Sequence, residues 1–116
     1  MPIKFTPDYA DTTITYDIQL AIRHSTSYQY ANLCLAVDLI DTVNTVNRSK
    51  VDFELSDSYG NWKGDGFGAL YQMSMVIARD VKPGDVESIV VWQAMSECDV
   101  LKNVTEIGII VTPSKT

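Results

Sequence analysis

The feature that most limits what this chain can become is a two-residue alternation from Thr13 to Arg23. Ile14, Tyr16, Ile18, Leu20 and Ile22 are separated there by Thr15, Asp17, Gln19 and Ala21. Side chains of an extended strand point alternately to its two faces, so this pattern buries one face; a helix would scatter the same residues around its circumference. The pattern recurs along the chain. Leu33, Leu35, Val37 and Leu39 share a face of a strand from Leu33 to Ile40, whose other face carries Cys34, Ala36, Asp38 and Ile40 and therefore expects partial cover. Val51, Phe53 and Leu55 alternate with Asp52, Glu54 and Ser56, and Tyr71, Met73, Met75 and Ile77 with Gln72, Ser74 and Val76. Near the end, Ile107, Ile109 and Val111 alternate with Gly108, Ile110 and Thr112 before Pro113 stops the run, and Gly108 is expected to admit a close neighbour.

Two further segments complete the set. Ser88 to Met95 is nearly continuously apolar over a length short for a helix and reads as a central strand. Ile3 to Phe5, delimited by Pro2 and Pro7, reads as a short edge strand. Ser96 to Asn103 is the sole helical turn expected. Between the strands lie a polar break at His24-Ser25-Thr26-Ser27, a hairpin expected around Asn47 to Lys50, and a turn from Arg79 to Glu87 built on Lys82-Pro83-Gly84-Asp85. About seven strands with no long amphipathic helix and no repeat point to an all-β fold. The expected architecture is an antiparallel β-sandwich, jelly-roll-like, with an immunoglobulin-like strand order as the alternative. Trp62 and Trp92 stand wrongly relative to the cysteines for an immunoglobulin Cys-Trp-Cys framework. A length of 116 residues suits a single domain spanning 1–116.

Charge narrows the function classes. The net charge is −6, and the nine Lys and Arg form no run, which disfavours a nucleic-acid footprint or a polybasic membrane patch. No apolar run approaches the roughly 20 residues needed to span a bilayer. Met1-Pro2-Ile3-Lys4-Phe5 has no signal-peptide character, although a start there equally fits a chain whose native leader has been removed. The two cysteines, Cys34 and Cys98, lack metal or redox spacing. They read as two separate, partly buried thiols, with a disulfide in an oxidising envelope as the alternative.

Four of the six glycines fall in one stretch, Asp57-Ser58-Tyr59-Gly60-Asn61-Trp62-Lys63-Gly64-Asp65-Gly66-Phe67-Gly68, which reads as a shaped loop, not a strand. Glycines so concentrated imply positive φ or close approach of backbone to a neighbour. Tyr59, Asn61, Trp62 and Lys63 form the candidate contact group, since exposed aromatics stack on flat ligand faces while amides bond hydroxyls. The alternative is that Trp62 folds back and plugs one end of the sandwich. Asp57, Asn61 and Asp65 carry oxygen donors, but their spacing is not that of a calcium loop, and Asx-turn duty is the expected role. The glycines also lack the lysine and helix of a phosphate-binding loop. His24, the single histidine, has no nucleophile motif beside it and reads as an exposed or hydrogen-bonded turn residue. No catalytic residue, cofactor site or metal site is expected. The Asn47-Arg48-Ser49 and Asn103-Val104-Thr105 sequons carry meaning only in a eukaryotic secretory setting.

Several blocks, in order, resemble the GldH family of gliding-motility-associated lipoproteins from Bacteroidetes envelopes. They are Tyr28-Gln29-Tyr30-Ala31-Asn32-Leu33; Asp57 to Gly64 with Gly66, Gly68 and Leu70-Tyr71; and Gln93-Ala94-Met95 followed by Leu101 and Ile107-Gly108-Ile109. The central block is the specific one. Ser96, where the family pattern has arginine, and Gln29, where proline is common, depart from it. The resemblance implies a lipoprotein of the cell envelope whose signal peptide and lipid-bearing cysteine lie upstream of Met1, with one or two strands there as well. It also implies a non-enzymatic protein acting through contacts with envelope proteins of a motility or secretion assembly. A glycan-binding sandwich module is the alternative function.

Overall fold

A computed structural model describes residues 2–25, 32–57, 59, 61–67, 70–93 and 104–114. Among them are eight strands: β1 (Ile3–Phe5), β2 (Tyr16–Ser25), β3 (Asn32–Ile40), β4 (Val46–Glu54), β5 (Asp65–Phe67), β6 (Leu70–Val81), β7 (Ser88–Gln93) and β8 (Val104–Pro113). They form two antiparallel four-stranded sheets, ordered β1-β7-β3-β4 and β5-β6-β2-β8, packed around one core. The alternation in β2 is realised residue by residue, with Tyr16, Ile18, Leu20 and Ile22 buried. Opposite them, Leu33, Leu35 and Val37 of β3, Phe53 of β4 and Ile89 and Val91 of β7 complete an interior of fully buried apolar side chains.

The antiparallel sandwich is thus as expected, and its strand order is specific. An immunoglobulin-type sandwich orders its strands first, second, fifth, fourth in one sheet and third, sixth, seventh in the other. Counting β4 as an additional strand beside β3, the inner pairs β2–β6 and β3–β7 correspond, but the first and last strands have exchanged places. Here β8 lies beside β2, and β1 beside β7.

Four local expectations are corrected. The β3–β4 hairpin does not turn at Asn47 to Lys50: Ile40 pairs with Val46 and Val37 with Ser49, so those residues belong to the ladder. The turn lies at 41–45, where Asp41 Oδ1 accepts from the amides of Val43 and Thr45 and Asn44 takes a φ of 65°. Asn is among the few residues tolerant of that left-handed conformation. Secondly, 65–67 of the glycine stretch is a strand, paired with 70–72 of β6. Thirdly, β6 continues past Ile77 to Val81, and the following turn contains one 3-10 turn at Pro83–Asp85. Two register shifts against β2 accompany that extension, and Asp17 Oδ1 accepts from the amide of Asp80, whose φ is 52°. Fourthly, His24 is no turn residue; it occupies the next inward place after Ile22 and is fully buried.

Cys34 is a half-buried free thiol. Cys98 and the helical turn expected at 96–103 lie outside the described residues.

Candidate functional site

The glycine stretch begins as a small hairpin. The Lys63 amide donates to the Leu55 carbonyl (2.8 Å) and the Asp57 amide to the Asn61 carbonyl (2.9 Å), with a single bridge between Ser56 and Trp62. Asp57 shapes the tip by accepting at Oδ1 from the amides of Asn61 (3.0 Å) and Tyr59 (2.9 Å), the Asx-turn role expected of it. The Asn61 amide and, after it, that of Tyr59 hold the Asp57 carboxyl below its usual pKa, because both favour the charged form.

Glycine is required here for proximity. A Cβ on Gly64 would lie 2.5 Å from the Gln72 carbonyl oxygen and 2.8 Å from Met73 Cγ, and one on Gly66 would lie 2.9 Å from the Tyr71 ring. The chain leaving the hairpin is therefore pressed against β6. Gly108 is the opposite case. Among the described residues, and apart from its chain neighbours, no atom lies within 4 Å of where its Cβ would stand, so none of them is the close neighbour expected there.

The four candidate contact residues do not converge. Trp62 is half-buried and packs against the core, its ring 4.9 Å from His24 and 6.0 Å from Tyr71. His24 and Tyr71 are direct partners in the β2–β6 ladder and stack at 5.9 Å with 19° between their planes. Adjacent strands thus supply two rings and the hairpin lays a third over them, closing this end of the sandwich. Tyr59, at the tip, is 88% exposed. Lys63 reaches back to Glu54 at 3.3 Å, an exposed pair of small energetic weight.

The opposite end of β2 carries a second aromatic closure. Tyr9 and Tyr16 lie 5.1 Å apart; the Tyr9 hydroxyl donates to the Val86 carbonyl (2.6 Å) and that of Tyr16 to the Asp11 carbonyl (2.8 Å). Burial raises the Tyr9 pKa, reinforced by the charge of Asp85.

One polar group was missed in the sequence. On the outer face of the β1-β7-β3-β4 sheet, Arg48 binds Asp38 through Nε (2.8 Å) and Nη2 (3.1 Å), and its guanidinium carbon stands 4.9 Å from the Trp92 ring centre. The Arg48 hydrogen bonds lower the Asp38 pKa. This pairing follows from the turn at 41–45, which sets Asp38 opposite Arg48. With the turn placed around Asn47 to Lys50, the two could not meet.

Comparison with known proteins agrees with the family resemblance read from the sequence. The family model described as GldH lipoprotein matches residues 1–111. A gliding motility lipoprotein GldH homolog of Christiangramia forsetii is 28% identical over 80 residues, which cover 69% of this chain and 49% of that protein. The chain therefore spans about half the length of the curated relative it matches. No solved structure matches it.

Proposed function

The chain belongs to the GldH lipoprotein family, and on that premise we propose that it is a lipid-anchored, non-enzymatic protein of the cell envelope. It contributes to gliding motility or to a secretion-linked envelope assembly through protein contacts. The observation that carries the contact reading is the division of labour in the hairpin. Trp62 is drawn onto His24 and Tyr71 and anchors the loop, while Tyr59 stands 88% exposed beyond it. A large amphipathic ring held out on an anchored turn is the type of residue that dominates protein interfaces. The non-enzymatic reading draws support from His24, the single histidine, which is fully buried and covered by Trp62 and so is out of reach of a substrate.

The glycan-binding alternative rested on Trp62 as a stacking platform. With that ring packed inward, Tyr59 alone of the two aromatics offers an open face, and the protein-contact reading is the better supported.

Deletion of the gene, with complementation by the wild type, Tyr59→Ala or Trp62→Ala, tests the proposal. Surface spreading, envelope assembly and protein level are the readouts. Loss of spreading or assembly on deletion is expected, together with failure of Tyr59→Ala to restore it at normal protein level. Normal spreading and assembly in the deletion strain would sink the idea.

A further inference from the structure

We propose that the edge of β8, on which no described strand lies, pairs antiparallel with β8 of a second copy of this chain, joining the described four-stranded β8 sheets of the two copies into one continuous eight-stranded sheet. The argument begins with how the sandwich treats its edges. A strand with an unpaired row of backbone groups invites another strand, and proteins blunt such edges by shortness, charge or bulges. β1 and β5 are three residues each. β4 carries Arg48, Lys50, Asp52 and Glu54. The part of β6 beyond β5 carries Arg79 and Asp80 and faces the register shifts. β8 has none of these protections over its central part. It is ten residues long, keeps regular register with β2 from Arg23↔Glu106 to Tyr16↔Pro113, and has no charge between Ile107 and Thr112. Its one charge, Glu106, is joined to Arg23 at 2.9 Å. No described strand lies on its far side.

The second copy, among possible partners, is indicated by self-complementary shape. On the outer face, Gly108 pairs with Ala21, and these two small residues floor a hollow of about 380 Å³ with the Arg23–Glu106 pair and Ile110 among its walls. Ile110 is a neighbouring outward residue and is 37% exposed. A two-fold axis perpendicular to the sheet, running midway between the two edge strands level with Ile109, sets Ile109 against its copy, Gly108 against Ile110, Ile107 against Val111 and Glu106 against Thr112. Directly opposed residues share a face. Each exposed Ile110 then lies over the other copy's Gly108 and fills its hollow, while Ile107, Ile109 and Val111 extend the apolar inner layer. No like charges are opposed. The same patch serves both partners, as a two-fold interface requires.

A single strand pair buries less than a standard interface, so the dimer is weak and concentration-dependent. Sedimentation of the 116-residue chain up to about 1 mM is expected to show reversible dimerisation. Gly108→Val, whose Cβ meets no described atom of its own chain beyond its neighbours in sequence within 4 Å, and Ile110→Lys are both expected to abolish it. For register, Glu106→Cys and Thr112→Cys are made separately in a background with Cys34 and Cys98 changed to Ser. Opposed Cα atoms lie within disulfide reach, so a mixture of the two proteins is expected to cross-link under mild oxidation, and neither protein alone. A chain that stays monomeric, a dimer unaffected by Gly108→Val, or a dimer whose mixed cysteine variants do not cross-link would each overturn the proposal. Because Gly108 does not touch the hairpin, these outcomes are separate from the fate of the Tyr59 contact reading.

Discussion

Adding one methyl group at each of two glycines should move stability in opposite directions, and the difference measures how tightly the hairpin is pressed on β6. At Gly64 the new Cβ would stand 2.5 Å from the Gln72 carbonyl oxygen, where an ordinary contact begins near 3.4 Å. The obstructing atom is backbone, and Gln72 is held on both sides by its pairing with Arg23 of β2 and Asp65 of β5. It cannot rotate away as a side chain would, so the segment must retreat by most of an ångström. Overpacking of this kind costs about 1–3 kcal/mol. With an unfolding entropy of about 2.1 cal/mol/K per residue over 116 residues, Gly64→Ala should melt about 4–12 °C below the parent. At Gly108 the methyl meets no atom of the described residues beyond its chain neighbours within 4 Å. Gly108→Ala there restricts the unfolded chain at little cost to the folded one and should gain about 0.4–1 kcal/mol, or roughly 2–4 °C. Both are read by calorimetry at a concentration low enough for the chain to be monomeric. Equal melting temperatures for the two variants, or a Gly64→Ala protein as stable as the parent, would refute the close approach as the reason for glycine in the loop.

Other expectations follow from the same geometry. Trp62→Ala strips a half-buried ring from His24 and Tyr71 and should cost about 2–4 kcal/mol in urea unfolding, whereas Tyr59→Ala should stay within about 0.5 kcal/mol. Asn44→Ala should lose about 1 kcal/mol, because its φ of 65° penalises a Cβ without a local polar partner, and Asn44→Gly should lose less. Asp11, Asp17, Asp38 and Asp57 all have native pKa values depressed from 3.8 by the hydrogen bonds they accept. The unfolded chain therefore takes up protons first as the pH falls. Their stabilisation is fully present above the ordinary aspartate range and is lost as pH drops through the lower native values. Urea midpoints should fall below about pH 4, and Asp38→Asn should flatten part of that slope.

What could be read from the sequence was local. Period-two alternation placed the inward residues of β2 and β3 because a strand's facing depends only on its own residue order. His24 was misplaced for a related reason. Its polarity reads as a break that ends β2, yet the alternation continues through it, and burial is possible because Tyr71 and Trp62 supply rings on which an imidazole packs. The β3–β4 turn was displaced because Asn47 and Ser49 are turn formers by type, while the residue that organises the turn, Asp41, acts on amides two and four positions ahead. The glycines divide similarly. Gly64 and Gly108 look alike in sequence, and only the pairing of β5 with β6 reveals which one has a neighbour. Exchange of β1 and β8 between sheets was not legible, since alternation says which face of a strand is buried but not beside which strand it lies.

The candidate contact group shows how packing and function are joined in this chain. Tyr59 and Trp62 are three residues apart on one hairpin, and their opposite environments depend on each other. Trp62 on His24 and Tyr71 gives the hairpin its anchor, and the Asp57 turn carries Tyr59 outward from that anchor. Loss of Trp62 would therefore also remove the presentation of Tyr59, so a motility defect in Trp62→Ala cannot by itself identify Trp62 as the contact. Trp62→Phe separates the two roles. It keeps an aromatic ring over His24 and Tyr71 but removes the indole surface and its N–H. If Trp62 anchors and Tyr59 touches the partner, Trp62→Phe should restore spreading in the deletion strain where Tyr59→Ala does not. The reverse pattern, with Tyr59→Ala active and Trp62→Phe inactive at equal protein level, would assign the contact to the tryptophan and require the hairpin to lift from the sandwich on binding.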